Sequence, residues 1–155
     1  MHSVAALDSY IHGIILDRAV DVLMLRRKPG GGGKVGLHFA AVSQILSASD
    51  PADAEIVART YIAERLGLET YQRPDDIGAG LAMVGINRIW SAAFPKNSGD
   101  MKTSLGVIVT RRNRIVHECD LDPLNPGSVT PLTDGDALKA IETVDCVVTA
   151  IDACS

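Results

Sequence analysis

The sequence predicts an all-α fold, a helical bundle of five or six helices, and three observations predict it. Apolar residues recur at three- and four-residue steps through several long segments. Aromatic residues make up only 4% of the chain, so Ala, Leu, Ile and Val carry the apolar mass, a mix that favours helix on helix over a sandwich of strands. Only "SLGVIVT" has strand-like content, and its neighbours on both sides keep helical spacing. A length of 155 residues suits a single domain, residues 1–155, with a sizeable core.

The elements follow in order. Over residues 4–25, Val4, Leu7, Ile11, Ile14, Ile15, Val22 and Leu23 form one helical stripe. It stops at "RRKPGGGGKVG", where Pro29 and Gly30 to Gly33 cannot continue it. That glycine run lacks the lysine order of a phosphate loop and follows no strand, so it reads as a flexible connector between helices. "LHFAAVSQILSAS" is a short second helix. "SDPADAEIVARTYIAERLGL" carries Asp50 as N-cap, Pro51 at the first helical position and Gly67 as a stop. "RPDDIGAGLAMVGINRIWSAAF" is helix with a break near Gly85 and a short helix around Trp90, a core residue. Ser98 or Asp100 then caps a helix over residues 101–118 with Leu105, Ile108, Ile115 and Val116 as its core stripe. A proline-rich loop, "DLDPLNPGSVTP", leads to the closing helix "TDGDALKAIETVDCVVTAIDA", which opens on Thr133 with Asp136 three residues on.

Composition narrows the function classes. A formal net charge of −4 argues against a general nucleic-acid coat, but not against an enzyme that meets RNA through one local patch. Cys119, Cys146 and Cys154 are odd in number and lack CxxC spacing, which points to a reducing cytoplasm rather than a disulfide framework. His2, His12, His38 and His117 stand singly, so no metal site and no cofactor is expected. No apolar run approaches the roughly 20 residues of a membrane span, and "MHSVAALDSY" does not read as a signal peptide.

One stretch exceeds what packing needs. "TRRNRIVHECD" crowds Arg111, Arg112, Asn113, Arg114 and His117 onto the end of a helix. Asn113 and His117 are four apart and lie on one face, with Arg112 about 100° round from Asn113. This trio suits RNA cleavage without a metal. Arginine offers a planar, always charged fork to a phosphorane-like state. Histidine moves protons near neutrality, and asparagine can hold the phosphate or the imidazole. Acid–base cleavage needs two proton-transfer groups and the cluster supplies one histidine per chain, so a homodimer is expected. Arg111 and Arg114 read as phosphate-steering or surface charges, with Glu118 four residues from Arg114 as a partner. The structural alternative treats the same arginines as charges favoured by the helix dipole.

"RRNRIVHECD" resembles the signature of the HEPN superfamily, and most closely its RiboL-PSP-HEPN group. The N-terminal "AALDSYIHGII", with Asp8, Tyr10 and His12, resembles the first helix of that group, and "INRIWSAA" and "AIETVDCVVTAID" fit the same pattern. The resemblance implies an α-helical bundle that dimerises through its motif helices. It implies a metal-independent endoribonuclease with Arg112, Asn113 and His117 catalytic and Asp8 a polar helper at the site. It also implies a role in toxin–antitoxin or anti-phage defence, with an antitoxin or another defence-system protein as partner. A non-catalytic HEPN-like module that binds RNA, a nucleotide or a partner is the second reading. Family members usually begin further upstream, so a trimmed first helix, or a longer parent chain, is expected.

Overall fold

The computed structural model describes residues 2–31, 35–117, 121, 125, 127–131 and 133–155. The described residues form seven helices, α1 (His2–Leu23), α2 (Phe39–Leu46), α3 (Pro51–Leu66), α4 (Pro74–Met83), α5 (Ile89–Ala93), α6 (Ser98–His117) and α7 (Asp134–Asp152). An isolated antiparallel bridge between Leu121 and Val129 is the β pairing found among them. The fold is all-α, as the apolar spacing predicts. The helix count exceeds five or six because Gly85, at φ +93°, divides α4 from the short α5.

Helix α1 lies at the centre. It buries Val4, Leu7, Ile11, Ile15, Ala19 and Val20, and it packs against α3, α4 and α7. It ends two residues earlier than its apolar pattern, because Leu25 turns into the left-handed region at φ +60°. Asp21 fastens that turn, accepting from Arg26 Nε at 2.8 Å and Arg27 Nε at 3.1 Å, while Arg26 reaches Glu55 of α3 at 2.7 Å. These two arginines hold the Asp21 carboxyl below its ordinary range. Part of the glycine run is a contact point. Gly30 N–H donates to Met83 O at 3.0 Å, and a Cβ there would lie 1.8 Å from the Ala82 carbonyl oxygen, so only glycine fits. Gly32, Gly33 and Lys34 lie outside the described residues.

Helix ends follow the predicted punctuation with two corrections. Asp50 caps α3, accepting from Ala52 N at 2.8 Å and Asp53 N at 2.9 Å. Thr133 and Asp136 form a reciprocal capping box on α7. Gly67 follows α3 but keeps an ordinary φ of −61°, so the stop does not use glycine's left-handed freedom. Helix α6 starts at Ser98, three residues early, which puts both Ser98 and Asp100 inside its first turn rather than at the cap.

The core gathers Trp90, whose Nε1 donates to Pro74 O at 2.8 Å, and Phe94, stacked on it at 6.1 Å. "SLGVIVT" is helical throughout. In α6 the buried residues are Leu105 and Val109, with Ile108 and Ile115 half-buried, whereas Val116 is 47% exposed. The predicted stripe thus turns out of the core in the last turns of α6. No helix among the described residues is long and apolar enough to cross a membrane.

Candidate functional site

The last two turns of α6 carry the polar cluster. Arg111 to Ile115 are half-buried, and His117 is exposed at the final turn. Helical geometry sets His117 about 6 Å along the axis from Asn113 and some 40° round it, but about 140° round from Arg112. One hydrogen bond narrows that gap. Arg112 Nη1 donates to Asn113 Oδ1 at 3.0 Å, which draws the guanidinium round towards the face that Asn113 shares with His117. The structure therefore joins Arg112 to Asn113 directly, with His117 one turn on. Among the described residues no hydrogen bond fixes the His117 ring. Glu118, the expected partner of Arg114, and Cys119 lie outside the described residues, while Cys146 and Cys154 are free exposed thiols.

The flanking arginines have a different task. Arg111 Nη2 donates to Pro131 O at 2.6 Å, and its Nη1 lies 3.5 Å from Asp136 Oδ2. Arg114 Nη2 donates to Leu121 O at 2.8 Å and to Thr130 Oγ1 at 3.0 Å. Both tie the segment before α7 to the side of α6. Asp136 is the shared post, because it also accepts from Thr133 N and Thr133 Oγ1. The Thr133 donors, then the charges of Arg111 and Lys139, hold its carboxyl below the ordinary range. The sequence reading gave Asp136 a place only in the helix cap, and gave Thr130 none. The capping box was the only legible signal for Asp136, and nothing local marks Thr130.

A cleft of about 400 Å³ opens beside the cluster, between α6, α7 and the start of α1. Its apolar lining comes from Val107, Ile108, Ile115, Ala140 and Ile141, and its cations are Arg111, Arg112 and Lys139. Val107 (63%) and Ile141 (54%), both in its lining, keep much of their surface in water beside these charges. A phosphate drawn to Arg112 would thus sit at the rim of an apolar face.

Asp8 does not line this cleft, where α1 contributes Ser3 and Val4. Its Oδ1 accepts from Tyr71 N at 2.6 Å and its Oδ2 from Gln72 Nε2 at 3.2 Å. His12, the other polar residue of that stretch, has Nδ1 2.8 Å from Asp8 O and Nε2 3.2 Å from Leu66 O. Both side chains pin the link between α3 and α4 onto α1. Comparison with family models, curated proteins and solved structures gives no match to this chain.

Proposed function

We propose that the end of α6 is the active site of a metal-independent endoribonuclease of HEPN type, completed by a second copy of the chain. The observation that carries this reading is the Arg112–Asn113 pair at 3.0 Å with an exposed histidine one turn on. A guanidinium bonded to a neutral amide keeps its full charge for a phosphate, whereas one bonded to a carboxylate does not. The resemblance of "RRNRIVHECD" to the HEPN signature supports the same assignment.

In this mechanism Arg112 steadies the charge that gathers on the phosphate oxygens. His117 takes the proton of the ribose 2′-hydroxyl, whose oxygen attacks the adjacent phosphorus. The partner's His117 gives a proton to the departing 5′-oxygen, leaving a 2′,3′-cyclic phosphate and a free 5′-hydroxyl. The second copy is needed because one histidine cannot stand on both sides of the phosphorus. The exposed apolar groups of Val107 and Ile141, which share the cleft with Arg112, support a partner seated there. Arg111 and Arg114 act mainly by holding the segment before α7 against the site, with their remaining charge steering RNA. Toxin or anti-phage defence activity, held in check by an antitoxin, is the biological setting this chemistry fits.

The test is cleavage of a structured RNA pool in excess EDTA. We expect products ending in 2′,3′-cyclic phosphate, and little recovery of the Arg112→Ala loss by Arg112→Lys, since an ammonium lacks the planar fork. Cleavage abolished by the chelator and restored by a divalent ion would overturn the mechanism.

A further inference from the structure

A second cleft, of about 400 Å³, lies at the junction of α3 and α4. Leu66, Met83 and Val35 give it an apolar floor, and Arg65, Glu69 and Asp76 give it charge. Tyr71 lines it and carries a hydroxyl that the fold does not use. It is the most buried of the three tyrosines, at 6% exposure. The hydroxyls of the other two are satisfied, Tyr10 by Asp152 at 2.7 Å and Tyr61 by Gln44 at 2.9 Å. The Tyr71 ring is packed away, but among the described residues its hydroxyl has no hydrogen-bond partner and is not one of the fully buried polar atoms, so the group is open to solvent and to a ligand in the cleft.

The wall around that hydroxyl is held in place. Asp8 fixes the Tyr71 backbone N–H and His12 sits on the Leu66 carbonyl. The His12 ring packs edge-on to Tyr71 at 4.7 Å, and Gly80 lets the ring lie directly on α4, since a Cβ there would come 2.5 Å from it. The surroundings are negative. Burial and then Glu69 push the Tyr71 hydroxyl above the ordinary phenol range, with Asp8 and Asp76 adding to this and Arg65 opposing it. Arg65 is engaged with Glu69 at 3.3 Å, and the described residues supply no cation to Asp76.

We propose that this cleft binds a small organic cation with an apolar body, an amine or amidine. Its N–H groups meet the Tyr71 oxygen and the carboxylates of Asp76 and Glu69, and its carbon skeleton covers Leu66 and Met83. The site is separate from the α6 cluster, and it gives Asp8 and His12 a role as the residues that shape its wall.

The experiment titrates the whole chain with benzamidine, neutral benzamide and anionic benzoate, followed by amide-resolved NMR. Benzamidine should saturate and shift Thr70, Tyr71, Ala79 and Gly80. Benzamide should bind about 10-fold more weakly, because it lacks the charge, and benzoate should not bind. Tyr71→Phe should weaken benzamidine about 10-fold with an unchanged melting temperature, since the hydroxyl contributes no bond to the fold. Asp76→Asn should erase the preference for benzamidine over benzamide, and His117→Ala should leave binding intact. No saturable binding, equal affinity for the three probes, shifts confined to the α6–α7 cleft, or unchanged binding by Tyr71→Phe would overturn the proposal.

Discussion

The two ends of this bundle spend their polar groups differently. Where α1 meets the α3–α4 link, Asp8 and His12 bond to backbone groups of Leu66 and Tyr71, more than fifty residues away. Those bonds hold the fold together. At the end of α6, Arg112 bonds only to its neighbour Asn113 among the described residues, and His117 is exposed. Leu7, Ile11 and Ile15 are wholly buried, while Leu138 and Ile141 stand in water. The polar groups at the first junction are committed to the fold, whereas those at the end of α6 are left available for binding.

The largest effect that would break this contrast is expected at the exposed face. Ile141→Asp puts a charge where a second copy is proposed to sit. Sedimentation should then show monomer at micromolar concentration, with cleavage reduced on the order of 10²-fold and the melting temperature nearly unchanged. A dimer that survives with full activity would remove the apolar face from the account. Next in size is Asp8→Ala, which leaves the buried Tyr71 N–H without its acceptor. It should cost about 1–3 kcal/mol in denaturant unfolding, and Asp8→Asn should recover part of that by restoring an oxygen acceptor. Cleavage per folded molecule should not change. Loss of cleavage without loss of stability would instead return Asp8 to the active site.

The smallest effect concerns pH. Burial, and then the bond to Asp152, push the Tyr10 hydroxyl up to about 12, so the folded state favours the neutral phenol. Its support is whole below the ordinary phenol value of about 10 and is lost as pH rises through about 12. The stability gap between wild type and Tyr10→Phe, about 1 kcal/mol or less, should therefore close over that alkaline window. A gap that stays constant would show that the Tyr10–Asp152 bond does not join α1 to α7.

What was legible in the sequence was local. Asp50 with Pro51, and Thr133 with Asp136, announce their helices because cap and capped groups lie within three residues of each other. The break at Gly85 and the helical state of "SLGVIVT" follow from spacing and backbone freedom in the same way. The cluster at Arg112, Asn113 and His117 was legible as a string, and its Arg112–Asn113 bond joins adjacent residues. Long-range pairings were not legible. Asp8 was read as a helper at the α6 site because its string resembles a family helix, yet its partner is Tyr71, sixty-three residues on. The bonds of Arg114 to Leu121 and Thr130, seven and sixteen residues on, had no signal in the helical spacing. Val116 fits the apolar stripe by spacing, but α6 carries it past the core. Gly30 gave no sign that α4 would press on it.

The central claim is that the end of α6 serves reaction rather than folding, and His117→Ala tests it most directly. Melting temperature and cleavage of a structured RNA pool are measured side by side for this variant and wild type. Because the ring is exposed and bonded to no described residue, the melting temperature should stay within about 1 °C, a shift well under 1 kcal/mol. Cleavage should fall by on the order of 10²-fold or more through loss of proton transfer. Unchanged cleavage, or a loss that follows a lowered melting temperature, would contradict it.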